Sequence, residues 1–236
     1  MQMFRFKQFS VDQTGCAMKI NTDGVLLGAI ATGNNLKNIL DIGTGTGVIA
    51  LMLAQRFSDA QIDAVEIDLS ATKTAAENFK NSVFNERLHI LPGSIETFFN
   101  EHPDDEYDLI ISNPPFYLNS LESPKKEKSV AKHTDHDFFE VLMRDIAGHL
   151  SQNGLCWLIL PYQTSSLIKL LATQNDLYLQ KTIAIRSYKN SEPHREIVCF
   201  GFEEVLMETT NFTIYEAAGI YSNEYKMLLQ PYFLNF

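Results

Sequence analysis

Asn113-Pro114-Pro115-Phe116 directly follows an apolar run, Tyr107-Asp108-Leu109-Ile110-Ile111-Ser112, that reads as a buried strand. A carboxamide and an aromatic ring are thereby placed at the carboxyl end of a strand, with two prolines stiffening the turn between them. These residue types suit the handling of a planar amine. The exocyclic amine of adenine is a poor nucleophile, because its lone pair is delocalised into the ring. The Asn113 side-chain oxygen can accept one N–H and the Pro114 carbonyl can accept the other. Two acceptors draw the nitrogen toward tetrahedral geometry and free its lone pair for in-line attack on a methyl carbon. Phe116 can stack on the base and fix its plane. The chemistry needs no strong general base, so orientation and electrostatics carry the rate. No residue stands out as the final proton acceptor. The same four residues also read as a plain turn ending a strand, since Asn-Pro commonly starts turns.

A second feature lies upstream. Ile39-Leu40-Asp41-Ile42-Gly43-Thr44-Gly45-Thr46-Gly47 carries a strand into a glycine-rich turn, and Val48 to Arg56 continues with helical spacing. Gly43, Gly45 and Gly47 let the backbone approach a ligand closely. The pattern is Gly-x-Gly-x-Gly, with Asp41 just before it. A pyrophosphate is disfavoured beside that carboxylate, whereas a ligand carrying an ammonium and a sulfonium is favoured. This makes a dinucleotide-linked oxidoreductase a poor reading. The next strand, Ile62 to Ile67, places Glu66 at its carboxyl end, 19 residues after Gly47 and near the spacing of a ribose-binding carboxylate. Asp68 either caps the helix that begins near Ser70 or supports the site. After a third strand, Leu88 to Leu91, comes Pro92-Gly93-Ser94-Ile95. Ser94 can bond an adenine amino group with Ile95 as an apolar face, and it can equally cap the helix Ile95 to Asn100.

The order Asp-x-Gly-x-Gly-x-Gly, Glu66, Ser94 and Asn-Pro-Pro-Phe resembles that of class I S-adenosylmethionine-dependent methyltransferases. More narrowly, the chain resembles the bacterial tRNA(Val) adenine-N6 methyltransferase family. The likeness runs from Phe4-Arg5-Phe6-Lys7-Gln8-Phe9 through Lys19 to Leu27 and Arg195 to Phe200, and on to Tyr221 to Lys226. It implies a Rossmann-like α/β fold, a doubly wound, mostly parallel seven-stranded sheet with an antiparallel edge strand. It implies S-adenosyl-L-methionine as cofactor, S-adenosyl-L-homocysteine as product, and the adenosine 3′ of the anticodon of tRNA(Val) as target. The resemblance makes Asn113, Pro114 and Phe116 catalytic. It assigns Asp41, Gly43, Gly45, Gly47, Glu66, Ser94, Ile95 and Asn113 to the cofactor. Lys19, Thr22, Gly24 and Val25 become a lid strand over its methionine end. A strand turning into a helix capped by Thr22 or Asp23 is the other reading of that lid segment. The corner is shared with enzymes that methylate guanine N2 of ribosomal RNA or a protein glutamine amide, which also present a planar amine. A non-catalytic RNA-binding assembly module is a further alternative.

Length and composition fit a single domain over 1–236: an N-terminal lid or hairpin segment (1–30), a cofactor-binding core (36–202) and a C-terminal tail packed on the core (203–236). The 236 residues are 45% hydrophobic, with no apolar run long enough to cross a bilayer and no signal-peptide pattern at the start. Cys16, Cys156 and Cys199 form no metal or redox spacing, which fits a reducing cytoplasm and no metal centre. His133-Thr134-Asp135-His136-Asp137 offers ligand types, but Asp135 or Asp137 reads more simply as a helix start. The net charge of −10 is unusual for an RNA partner, so any RNA contact must be local. Candidate patches are Lys125, Lys126 and Lys128 after the corner, then Arg5 and Lys7 among aromatic residues. A third is Arg186, Lys189, His194 and Arg195. A lysine run is also an ordinary solvated loop. The aromatic tail reads as packing against the domain or as a stacking surface.

Further apolar patterns predict a helix over Asp137 to Leu150, a strand over Leu155 to Leu160 and a helix over Ser165 to Thr173. Two antiparallel strands follow, over Leu177 to Ser187 and Arg195 to Phe202.

Overall fold

The computed structural model describes residues 3–114 and 128–236, except for the side chains of 128–135. β1 (Met3–Arg5) and β2 (Ser10–Asp12) pair as an antiparallel hairpin, and α1 (Thr22–Ile30) follows. Strands and helices then alternate as β3 (Asn38–Ile42), α2 (Val48–Arg56), β4 (Gln61–Glu66), α3 (Leu69–Lys80), β5 (Leu88–Pro92) and α4 (Ile95–Glu101). The alternation continues as β6 (Tyr107–Ser112), α5 (Lys128–His149), β7 (Leu150–Pro161), α6 (Tyr162–Gln174), β8 (Tyr178–Tyr188) and β9 (Arg195–Gly201). The chain ends with β10 (Glu208–Ala217), β11 (Ile220–Tyr221) and α7 (Asn223–Leu229).

The large sheet has nine strands in the order β11-β10-β8-β9-β7-β6-β3-β4-β5. β9 and β11 run against the other strands, which are parallel to one another. All seven expected strands form. The additional β10 and β11 come from the tail, where Phe212 and Ile214 turn inward and Asn211, Thr213 and Tyr215 alternate with them. The antiparallel β9 is held between β7 and β8 by its own pairings, and β11 gives the sheet an antiparallel edge strand. The chain leaves β3 toward β4 and β5 on one side and later returns to β6 on the other. This reversal opens a crevice at the carboxyl ends of β3, β4 and β6.

Helices cover both faces, so the central strands are apolar at consecutive positions. Ile39, Leu109, Ile111, Trp157 and Ile159 pack with α1, α2 and α3. Leu40, Ile110, Leu158 and Leu160 pack with α4, α5 and α6 on the opposite face. The segment expected as a lid strand is the helix α1. Its cap is Asn21, whose side-chain oxygen accepts from Gly24 N at 2.9 Å, and not Thr22 or Asp23. Residues Gly24 to Ala29 are all buried, which holds this stretch as a core helix. Asp68 caps α3, the first of its two expected roles, because one carboxylate oxygen accepts from both Ser70 N and Ala71 N. Neither Asp135 nor Asp137 starts α5. That helix begins at Lys128, and nothing between there and Ala147 is a Gly or Pro that would break it.

α1 lies close against α2 because Gly28 has no side chain; a Cβ there would meet Met52 Sδ at 3.2 Å and Met52 Cβ at 3.3 Å. Gly28→Val should therefore overpack this contact and cost about 1–3 kcal/mol. The urea midpoint should fall with an unchanged slope, and an unmoved midpoint would show that the two helices tolerate separation here.

Candidate active site

The glycine turn leaves β3 with Gly43, Gly45 and Gly47 all at positive φ, 71°, 58° and 81°. Gly47 also lies against the Phe79 ring, where a Cβ would come within 2.4 Å of Cε1. Around Gly43 and Gly45 the space a side chain would take is open. Gly93, after β5, is open in the same way. The turn is held from beneath. Glu66, at the end of β4, is buried; its Oε2 accepts from Gly45 N and its Oε1 from Asp68 N, each at 2.8 Å. A carboxylate oxygen can take a second donor, so Glu66 retains acceptor capacity for vicinal hydroxyls. Asn78 on α3 braces the other side, donating to Thr46 O at 2.9 Å.

Asp41 has no exposed surface, and its Oδ2 accepts from Thr44 Oγ1 at 2.6 Å. Its Oδ1 is buried and has no partner among the described residues. Burial pushes its carboxyl up to about 7, against the opposing pull of the Thr44 hydrogen bond. The structure thus places Asp41 under the turn, outside the lining of the cavity above it.

A cavity of about 380 Å³ opens at this crevice, lined by Gly43, Val65, Gly93, Ser94, Ile95 and Pro114 among others. It is strongly apolar on the β4 and β5 side. Ile67 is 70% exposed there, at the position after Glu66, and Phe138 of α5 closes the other side. Neither was singled out from the sequence. Ile67 carried a usable signal as a large apolar residue just past the ribose carboxylate, whereas Phe138 reaches the site only through tertiary packing. Ser94 caps α4, its Oγ accepting from Thr97 N at 3.1 Å, and it also lines the cavity. Asn113 follows β6, which Ser112 Oγ pins to β3 by donating to Ile42 O at 2.8 Å. Asn113 Oδ1 is buried without a partner among the described residues, and Pro114 lines the cavity beside it. A buried acceptor left bare costs on the order of 1–3 kcal/mol, which a donor on a bound molecule would recover.

The structure brings Gly43, Gly45, Glu66, Ser94, Ile95, Asn113 and Pro114 to one crevice. It does not bring the α1 residues into that cavity. Thr22 and Val25 line a separate hollow, Gly24 faces α2, and Lys19 is exposed. Lys7, expected at an RNA patch, donates to Gln230 O and Phe236 O and so fastens the tail. Phe116, Lys125 and Lys126 lie outside the described residues, as does the side chain of Lys128.

A doubly wound sheet with this glycine turn, a buried strand-end carboxylate and a bare amide at the switch point defines a class I methyltransferase. The methyltransferase small domain family matches residues 19–171. Over 233 residues, 99% of this chain and 98% of the relative, it is 49% identical to a tRNA1(Val) (adenine(37)-N6)-methyltransferase of Pedobacter heparinus. A Flavobacterium psychrophilum protein of the same name is 41% identical over 98% of this chain and 99% of its own. The chain belongs to the tRNA1(Val) (adenine(37)-N6)-methyltransferase family. In fold it is similar to a predicted O-methyltransferase from Agrobacterium tumefaciens, with a TM-score of 0.70 at 16% identity over 89% of this chain and 96% of that one.

The cofactor S-adenosylmethionine fits the residues present: open glycines for close approach, acceptor capacity on Glu66, an apolar slot at Ile67 and Ile95, and an ionisable carboxyl beneath the turn. Asp41 is raised above its unfolded value, so its protonated form stabilises the ligand-free fold. That contribution is present below the ordinary carboxylate range and is lost as pH rises through about 7. A cationic ligand favours the ionised form. Affinity for the cofactor should therefore rise with pH between about 6 and 7.5, and Asp41→Asn should flatten that rise. Calorimetric titration across pH would show it; an unchanged profile in the variant would remove Asp41 from the account.

Proposed function

We propose that this methyltransferase acts on tRNA, at the exocyclic N6 of the adenosine just 3′ of the anticodon of tRNA(Val). The observation that carries the reading is Asn113 Oδ1, buried and without a partner among the described residues, next in the chain to Pro114, which lines the cavity. The names of the near-full-length relatives support the substrate.

The chemistry follows from what these groups can accept. Asn113 Oδ1 and the Pro114 carbonyl take the two amino hydrogens of the base, holding the nitrogen in line with its lone pair exposed. Both are acceptors only in this role, so they orient the amine without deprotonating it. When bound, S-adenosylmethionine supplies an electrophilic methyl carbon on a sulfonium. Glu66 would hold its ribose, the Gly43-to-Gly47 turn its amino-acid end, and Ile67 with Ile95 the faces of its adenine. The target sits in a loop, where extrusion of a base costs less than from a duplex. After transfer the methylated nitrogen releases its surplus proton, and the sequence offers no evident acceptor for it.

Asn113→Ala should abolish methyl transfer while leaving cofactor affinity within about twofold, because its amide contacts the amine and not the bulk of the cofactor. The assay is transfer of labelled methyl to unmodified tRNA(Val), ribosomal RNA and release-factor protein, followed by nucleoside mass spectrometry. N6-methyladenosine in the tRNA, absent with the variant, is the expected result. Label in ribosomal guanine or protein glutamine instead would keep the mechanism and replace the substrate. An Asn113→Ala enzyme that still turns over would sink the assignment.

A further inference from the structure

We propose that Tyr188, the exposed end of a ladder of tyrosines flanked by cations on the carboxyl edge of the sheet, stacks and anchors RNA nucleotides of the same loop as the methylated base. The proposal rests on the tRNA reading above and names the surface that reading requires.

Tyr188, Tyr215, Tyr221 and Tyr225 form one continuous series. Successive ring centroids lie 5.8, 5.1 and 4.5 Å apart, with interplanar angles of 37°, 20° and 9°. Two hollows open along it. One, of about 660 Å³, is lined by Arg186, Lys189, Asn211, Thr213 and Tyr215 with Glu216 and Glu224 on its rim. The other, of about 510 Å³, is lined by Arg5, Phe4, Tyr221, Tyr225 and Phe236. Tyr225 is buried in the core and Tyr215 and Tyr221 are half-buried, so they support the ladder from behind, and Tyr188 is its exposed ring. Each recess holds aromatic surface and a guanidinium. Register sets the first recess: Arg186 pairs with Thr213 and Tyr188 with Tyr215 on adjacent parallel strands. Both strands end on the same edge as β6; through the paired registers Ser112 is level with Thr182, so Tyr188 lies three strand spacings across and six residues further along, about 24 Å away. A few nucleotides of an extended loop span that distance from a base held at Asn113.

The charges here are available where others are not. Lys169, Lys181 and Arg195 are paired with Glu196, Glu208 and Asp23, and Arg56 and Arg87 are bound to backbone carbonyls. Arg186 Nε, by contrast, is buried and has no partner among the described residues. Glu216 and Glu224 rule out a uniformly positive groove. Glu224 is partly engaged, accepting from Thr213 N. The chemistry is thus base stacking with a few cationic anchors, a mode that tolerates an acidic protein.

The test uses the whole enzyme, a tRNA(Val) transcript and four variants: Arg186→Gln/Lys189→Gln, Tyr188→Ala, Tyr188→Phe, and Lys37→Gln at the opposite edge as a charge control. Tyr188 and Lys189 are exposed, so their loss leaves the core alone, and Tyr188→Phe retains the ring. The expected result is a KM for tRNA raised about tenfold in the first two variants, with kcat and cofactor affinity unchanged. Tyr188→Phe should restore KM, and Lys37→Gln should have no effect. The slope of log affinity against log salt should become shallower by about 1.4 in the double variant. If wild type makes N6-methyladenosine in tRNA but these variants keep its KM and slope, the ladder is overturned while the substrate stands. If wild type methylates no tRNA, both fall together.

Discussion

The site depends on one carboxylate. Glu66 sits at the end of β4 and receives an N–H from the glycine turn that leaves β3 and another from the turn that leaves its own strand. Two loops from different strands are thus fixed against a single buried group that keeps further lone pairs for other donors. The arrangement works because Gly45 presents a bare amide and because Gly47 leaves room for Phe79 beneath the turn. Replacing Glu66 by a group with fewer acceptors would release one of the turns. The cofactor site is therefore built less from side chains that point into it than from backbone held open by groups behind it.

Polar groups elsewhere follow the same logic. Arg87 reaches the carbonyls of Ala54, Phe57 and Ala60 at the end of α2. Arg56 does the same for Gly28 and Ala31 at the end of α1. These cations neutralise exposed carbonyl ends of helices and contribute little to the outer potential. An overall charge of −10 says correspondingly little about what the surface can bind. The cations that remain uncommitted decide that, and some of them lie on the edge that carries the reaction.

Much of this was legible in the sequence. Asp41 to Gly47, Glu66 and Asn113 each stand at the end of a strand whose apolar run is unmistakable, so motif and element support each other. The seven core strands were readable for the same reason. Less legible were features that arise from competition between neighbouring residues or from contacts distant in sequence. Asn21 caps α1 although Thr22 and Asp23 stand beside it, because its side chain is the one that meets Gly24 N. The stretch from Val25 to Ala29 is apolar throughout, and such a run does not distinguish a buried helix from a strand until its neighbours are known. β10 was hidden in an aromatic tail, where rings masked the alternation of Phe212 and Ile214. Lys7 looked like a free charge and serves instead to fasten the far end of the chain.

The Asn78 side chain donates to Thr46 O in the glycine turn and to Asp12 O in the hairpin, while its oxygen accepts from Asp12 N. One amide thus closes three backbone groups from two segments that are far apart in the chain. Detaching the hairpin would leave the Asn78 oxygen and one of its amide hydrogens without partners and free the amide to turn away from Thr46 O, and loosening the turn would weaken the hold on the hairpin. The two segments consequently open and close as one cooperative unit. Thermodynamically the first dozen residues belong to the cofactor turn, although none of them lines the cavity beside it.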